Sequence, residues 1–365
     1  MTTSRRRFIT SVAAAGAASA LSPFEGKLQA QSSGATGTAL ASDGYVLVTS
    51  GNGVEAAKAA RQALIQGYDP LDAAIVGVNV NELDPNDLSV GYGGVPNEEG
   101  VVQLDACVMD GRTLRAGAVG ALEGVKTPSK VAKLVMERTD RVFLVGAGAA
   151  KFANAHGFPP EDLLTAKTRK IWLYWKERLS DLDDWIEAGK EAEDPDIKEF
   201  IRKYGSEFFR PQGTIHMSVR SAKGDLAGVT TTSGLFFKIP GRVGDSAVVG
   251  AGIYSENGVG SCGSTGRGEA NLVSCGSHTV VEAMRQGKSV EEACLLALKR
   301  IDEKTHKVPR HRDDKGRPKF NVNFYAVDAK GKTAGAAIWS GSKYVVGDND
   351  GVRTLESAYL YKRGA

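Results

Sequence analysis

The sequence predicts an α/β (α+β) chain, and three observations carry that reading. Alternating, β-branched runs that read as strands occur in both halves, as at Val101–Met109 and Thr214–Ser221. Stretches of helical period lie between them, as at Val54–Gln66 and Val290–Glu303. Turn signals such as Asp110-Gly111 and Lys223-Gly224-Asp225 separate strands close enough to pair. The 365 residues suffice for a large core in one or two domains, and the apolar (42%) and charged (24%) fractions are ordinary for a globular chain. A net charge of +3 is small for this length and gives no sign of a nucleic-acid binder.

In chain order, Tyr45–Thr49 reads as a short strand and Val54–Gln66 as an Ala-rich helix. Pro70 opens a second helix at its favoured first-turn position, running to about Asn81 and closed by Asp84-Pro85-Asn86. After the turn-rich Gly91–Asn97, Val101–Met109 and Ala116–Leu122 form a strand pair about Asp110-Gly111. Thr127-Pro128 opens a helix with Val131, Leu134 and Val135 on one face, and Arg141–Val145 is a further strand. Gly146-Ala147-Gly148 after that strand has only two of the three glycines of a dinucleotide fingerprint, since Lys151 stands at the third, so a close strand–helix turn is preferred. Residues 160–210 are charged and helical, a linker whose Trp172, Trp175 and Trp185 read as a packing face. Beyond Thr214–Ser221 and Leu226–Thr231, a Gly-rich loop leads to Ala247–Ile253. Helices are expected at Glu269–Gln286 and Val290–Glu303, the second opened by the capping box Ser289-Val290-Glu291-Glu292. A basic connector, Lys304–Lys319, precedes strands at Phe320–Val327, Thr333–Ile338 and Lys343–Val346.

The first thirty residues read as a twin-arginine signal: Ser4-Arg5-Arg6-Arg7-Phe8-Ile9, an Ala-rich apolar stretch to Leu21, and small-residue cleavage sites at Ala18-Ser19-Ala20 or Leu28-Gln29-Ala30. A flexible leader comes next, at 31–43. The expectation is export to the periplasm or beyond the cell, with no membrane association afterwards. Cys107, Cys262, Cys275 and Cys294 match no zinc or iron–sulfur spacing, and their apolar or Gly-rich settings read as buried thiols without a required disulfide.

The most informative stretch is Pro211-Gln212-Gly213-Thr214-Ile215-His216-Met217, on account of the motifs that come after it in the chain. Thr230-Thr231-Thr232-Ser233-Gly234 ends the next strand. Gly241-Arg242-Val243-Gly244-Asp245-Ser246, Gly250-Ala251-Gly252 and Ser264-Thr265-Gly266-Arg267-Gly268-Glu269 stand beyond that strand. With Ser89-Val90-Gly91-Tyr92-Gly93-Gly94, Leu104-Asp105-Ala106 and Met109-Asp110-Gly111, residues 44–360 resemble the aspartylglucosaminidase (glycosylasparaginase) family of N-terminal nucleophile hydrolases, which includes isoaspartyl peptidases.

The resemblance implies a four-layer αββα sandwich. It implies a precursor cut between Gly213 and Thr214 into an α chain (44–213) and a β chain (214–365) that stay together, and a dimer of such αβ units. Thr214 would be the nucleophile and its freed α-amino group the base. Thr232 would orient it, and Thr265 and Gly266 would form the oxyanion hole. Arg242 and Asp245 would hold the α-carboxylate and α-ammonium of an asparagine derivative. No metal or other cofactor is implied. A Thr hydroxyl is a weak nucleophile without a base, and an α-amine with pKa of roughly 8 suits that role. The five histidines form no triad pattern.

Three departures blur the subfamily. Gln212-Gly213 stands where glycosylasparaginases carry His-Asp, although isoaspartyl peptidases have Gly-Thr at the cut. His216 replaces a usual glycine, and Val48–Val54 lacks the Trp that lines the sugar-side pocket. An isoaspartyl peptidase or L-asparaginase with the same machinery, and an unprocessed amino-acid-binding homologue, remain alternatives. The twin-arginine pattern also raises a redox protein, which the incomplete glycine motif disfavours.

Overall fold

The computed structural model describes residues 44–179, 193–204 and 212–363. The signal and leader, Trp185, and the linker just ahead of Gln212 lie outside the described residues.

The strand that organises the fold is β5 (Gln212–Arg220). Successive side chains of a strand point to opposite faces. Ile215, Met217 and Val219 enter one apolar core, while His216 and Ser218 face the other way into a polar layer. This strand lies inside an eight-stranded sheet of order β12-β11-β1-β5-β6-β2-β3-β4. Its members are β1 (Val46–Ser50), β2 (Leu104–Asp110), β3 (Arg115–Leu122), β4 (Phe143–Val145), β6 (Leu226–Leu235), β11 (Lys343–Asp348) and β12 (Gly351–Glu356). A five-stranded sheet, β13-β10-β9-β8-β7, is built from β7 (Ile253–Glu256), β8 (Gly260–Gly266), β9 (Val322–Asp328), β10 (Thr333–Trp339) and β13 (Ala358–Tyr361).

Helices cover the outer face of each sheet. Helices α1 (Val54–Ile65), α2 (Pro70–Glu82), α3 (Pro128–Arg138) and α4 (Gly146–Ala155) bury Ala56, Ala60, Leu71, Val78, Val131 and Ala153 against Val108, Val119 and Ile215. After α5 (Ala166–Lys176), α6 (Pro195–Tyr204) and α7 (Gly268–Leu272), helices α8 (Gly276–Arg285) and α9 (Val290–Thr305) bury Val281, Leu298 and Ile301 against Cys262, Phe324 and Ala336. Between the sheets, Val48, Leu226, Tyr325 and Val346 pack at one end and Cys107, Met109 and Ile253 at the other. The result is the four-layer αββα sandwich.

The expected packing face of the linker region is present for the described aromatics. Trp175 stacks on Phe237 with ring centroids 4.3 Å apart, and Trp172 donates from Nε1 to the Glu98 carbonyl at 3.2 Å. The capping box at Ser289 and Glu292 is formed in both directions.

Four expectations need correction. The helix expected over Glu269–Gln286 is two, α7 and α8, separated by a turn in which Cys275 adopts φ 48°. That left-handed residue ends helical continuity although no proline marks it. The Gly-rich loop expected to end at Ala247 closes in a short 3₁₀ turn (Asp245–Ala247), and β7 begins only at Ile253, the last residue of the expected Ala247–Ile253 segment. Strands β8, β12 and β13 were not expected. Cys275 is exposed, whereas Cys107, Cys262 and Cys294 are buried as expected; all four are free.

Candidate active site

At Thr214 the regular β5–β6 pairing is interrupted: Gly213 pairs with Gly234 and Ile215 with Thr231, a shift that leaves Thr214 out of register. Bulges of this kind re-aim a side chain. Here Thr214 Oγ1 donates to Thr232 Oγ1 at 3.1 Å, and Thr232 Oγ1 donates to the Gly213 carbonyl at 2.5 Å. Thr232 Oγ1 also accepts from the Gly234 N–H at 2.8 Å, which fixes its hydroxyl toward Gly213. Asn52 Nδ2 donates to the Thr214 carbonyl at 3.3 Å, and Ser50 Oγ donates to Asn52 Oδ1 at 2.7 Å. The glycine at 213 is required: a Cβ there would lie 1.7 Å from Ser89 Cβ. The Asp of the resembled glycosylasparaginases therefore does not fit at this position as Ser89 now stands.

The loop Lys238–Ser246 is pinned from β2 and its approach. Asp105 accepts from the N–H of Ala121 at 2.8 Å with one oxygen and from the Gly244 N–H at 3.2 Å with the other. Gln103 accepts from the Gly241 N–H at 2.9 Å, and Lys238, buried, donates to the Gln103 carbonyl at 2.8 Å. Burial holds the Lys238 ammonium below its ordinary pKa.

On this loop Arg242 donates from Nε and Nη2 to Glu269 Oε1, at 2.9 and 2.7 Å. The Arg242 guanidinium is therefore a chief reason the Glu269 carboxyl sits below its usual pKa despite burial. Asp245 is buried and accepts from Ser264 Oγ at 2.6 Å and Asn271 Nδ2 at 2.8 Å. Burial raises its pKa, while Asn271, Ser264 and Arg242 pull it back down. Thr265 Oγ1 accepts from Asn323 Nδ2 at 3.1 Å and lies 3.0 Å from the Tyr325 hydroxyl, whose pKa burial pushes up to about 12. Gly266 ends β8 at φ 111°.

Every site residue named from the sequence lines one of two adjoining cavities. A small one, about 10 Å³, is bounded by Thr214, Thr232, Arg242, Asp245 and Gly266. A large one, about 920 Å³, is bounded by Gly213, Thr214, Thr265 and Gly266 together with Asn52 and Tyr325. They share Thr214 and Gly266. Sequence reasoning missed the supporting partners Asn52, Asn271, Asn323 and Tyr325, which arrive from separate segments. The run Ser264–Glu269 does place Glu269 near Arg242, but no spacing rule pairs them.

His216 lies directly behind this site. Its Nδ1 is 2.8 Å from Thr230 Oγ1, whose own proton goes to the Gly252 carbonyl at 3.0 Å. Nδ1 must therefore donate and Nε2 accept, the latter from Ser218 Oγ at 2.8 Å. Burial holds the imidazole neutral, with its pKa down to about 3. The ring fits because residue 263 is glycine: a Cβ there would lie 2.0 Å from His216 Nδ1.

Comparison with known proteins agrees with the resemblance. A family profile described as Asparaginase matches residues 36–309. The chain is 36% identical over 362 residues to an N(4)-(Beta-N-acetylglucosaminyl)-L-asparaginase of Elizabethkingia miricola, covering 99% of this chain and 97% of that relative. It is 33% identical over 326 residues to a probable isoaspartyl peptidase/L-asparaginase 3 of Arabidopsis thaliana, covering 84% and 88%. A mouse N(4)-(beta-N-acetylglucosaminyl)-L-asparaginase is 38% identical over 257 residues, covering 67% and 74%. With a profile match over most of its length and a relative aligned almost end to end, the chain belongs to the asparaginase family.

Proposed function

We propose that this chain is a self-processing amidohydrolase that cleaves the side-chain amide of N4-substituted asparagine, glycosylasparagine included. The observation that carries this reading is the hydrogen-bond chain Thr214 Oγ1, Thr232 Oγ1, Gly213 O at a strand bulge. It links the Thr214 hydroxyl through Thr232 to the preceding carbonyl and places a proton donor on that carbonyl's oxygen.

In processing, Thr214 Oγ1 attacks the Gly213 carbonyl carbon while Thr232 donates to the oxyanion that forms. The Gly213–Thr214 C–N bond breaks, the proton that Oγ1 gives up passes to the leaving amine, and an ester joins Gly213 to Thr214 Oγ1. Water hydrolyses the ester. The products are a Gly213 carboxylate and a Thr214 with a free α-amine, dividing the chain into 44–213 and 214–365.

In turnover the α-amine takes the Oγ1 proton as Oγ1 attacks the substrate's side-chain amide carbon. The Thr265 hydroxyl and Gly266 N–H stabilise the oxyanion. The ammonium then protonates the leaving nitrogen, and a β-aspartyl ester remains on Thr214. The same amine activates water, which releases aspartate. Arg242 binds the substrate α-carboxylate with its planar fork and Asp245 binds the α-ammonium. Glu269, which holds Arg242, must then yield it or share it.

The second reading, hydrolysis of β-aspartyl peptides or free asparagine by the same machinery, is favoured by Gly at 213 and by the isoaspartyl peptidase name of the Arabidopsis relative. Aspartate release from glycosylasparagine, a β-aspartyl dipeptide and L-asparagine tests both. Turnover of more than the glycosylated substrate is expected, with kcat/KM rising as pH passes through about 8 as the α-amine loses its proton. No release from any of the three would overturn the reading. We also propose export through the twin-arginine leader and assembly as a dimer of αβ units. Cell fractionation and light scattering of the purified protein test these.

A further inference from the structure

We propose that the large cavity beside Thr214 selects leaving amines that carry a carboxylate, above all the acidic residue of a β-aspartyl dipeptide. This rests on the hydrolase reading and deepens it. Substrate held by Arg242 and Asp245 with its side-chain amide at Thr214 must direct its leaving group away from the small cavity and into the large one.

That cavity is one-sided in charge. Its lining includes Lys203, Arg267, Arg310, Lys319, Lys343 and His311, and no Asp or Glu is among the described residues that line it. Composition does not explain this, because the chain carries 46 basic and 43 acidic residues. The connector Lys304–Lys319, the basic segment seen in the sequence, supplies Arg310, His311 and Lys319.

Among the described residues Arg310 and Lys319 form no ion pair, whereas Lys343 pairs with Glu356 at 3.1 Å and Arg267 feels the Glu269 carboxylate without a hydrogen bond to it. Arg267 follows Gly266 directly, and its Nη2 donates to His311 Nε2 at 2.9 Å. Arg310 Nε donates to the same nitrogen at 3.3 Å. Two guanidinium groups thus converge on one neutral acceptor, and His311 must carry its proton on Nδ1. His311 Nδ1 and Arg267 Nε are buried with no hydrogen-bond partner. Burial and the neighbouring Arg267 and Arg310 hold His311 below its ordinary pKa, so the imidazole stays neutral beside them. Glu269, the nearby carboxylate, is committed to Arg242. A cavity that gathers like charges is complementary to an anion. Ammonia and a neutral glycosylamine bring no charge to meet it. The carboxylates of a leaving amino acid do.

The test is a ladder of leaving groups of nearly equal size: β-aspartyl-glutamate, β-aspartyl-glutamine and β-aspartyl-glutamine amide, which carry two, one and no leaving-group carboxylates. At low ionic strength kcat/KM is expected to fall about tenfold from first to last, and the spread to shrink as salt is added. In Arg310→Gln/Lys319→Gln the spread is expected to close to about twofold. Each ratio is taken on one preparation, so loss of folded enzyme cancels. A flat ladder in the parent, or a full ladder in the double variant, overturns the proposal. A pair of glycosylasparagines, one ending in a uronic acid and one neutral, separates the two carriers: discrimination confined to that pair overturns the peptide assignment. Turnover of neutral glycosylasparagine alone overturns the proposal but leaves the hydrolase reading intact. No turnover of any substrate overturns both.

Discussion

The two cavities that meet at Thr214 differ in almost every physical respect. The small one is about 10 Å³, room for roughly one water, and its charged groups are already matched: Arg242 to Glu269, Asp245 to Ser264 and Asn271. The large one is about 920 Å³, and the charges of the described residues that line it are of one sign. Prearranged partners fix geometry at little further cost on binding. An open rim of exposed cations steers by field instead, and such fields are weakened by salt. Under the proposed function, the contrast puts strict recognition at the amino-acid end of a substrate and graded selection at its leaving group.

The strict side gives the largest expected effects. Asp245→Asn keeps the partners' shape but removes the charge proposed to meet a substrate ammonium. It is expected to lower kcat/KM about 10³-fold on every asparagine-type substrate, a cost in the range of an unpaired buried charge. A loss under tenfold, read from steady-state kinetics, would show that Asp245 does not meet the ammonium.

The wall behind the strict side contributes next. Glu82 is fully buried beneath β6, accepting from Thr231 Oγ1 at 2.7 Å and Ser129 Oγ at 2.8 Å. Burial is the largest cause that pushes its pKa from 4.5 up to about 7. The folded protein therefore holds this proton where the unfolded chain releases it. Its contribution to stability is full below about 4.5 and is lost as pH rises to about 7. The loss is about 3 kcal/mol at 1.36 kcal/mol per pKa unit. Urea denaturation across that range should show a decline in the parent that is flattened in Glu82→Gln; parallel profiles would contradict the assignment.

Gly263→Ala is expected to cost about 2 kcal/mol by overpacking against His216. In a His216→Gly background the penalty should vanish, since the room is then available. Equal penalties in both backgrounds, measured by thermal or urea unfolding, would remove His216 as the reason for glycine at 263. The smallest effect is on the open side, the about tenfold ladder among β-aspartyl leaving groups.

Much of the fold was legible because its signals are local. β5 shows its two faces in Thr214–Val219, α2 its start in Pro70, and α9 its capping box at Ser289 and Glu292. Strand β8 was not, since Gly-Ser-Cys-Gly-Ser-Thr-Gly has the small residues needed where the second sheet approaches His216, not the bulky ones that mark a strand. Strands β12 and β13 escaped notice because their mixed, partly exposed residues carry no clean alternation. The split between α7 and α8 depends on the left-handed Cys275, which only tertiary packing explains.

The site divides the same way. Thr214, Thr232, Arg242, Asp245, Thr265 and Gly266 stand in motifs within one stretch of chain. Their surroundings do not: Asn52 comes from the β1–α1 turn, Asn323 and Tyr325 from β9, and the basic rim from α6, the connector and β11. Such partners are joined only by folding.

The hydrolase mechanism turns on Thr214 becoming an N-terminus. Intact-mass spectrometry of the purified protein beside Thr214→Ala tests this most directly. Two chains meeting at Gly213 and Thr214 in the parent, with one continuous chain in the variant, is the predicted result. A single uncut chain in the parent would leave Thr214 without its α-amine, contradict the hydrolase mechanism, and leave the chain as an amino-acid-binding member of its family.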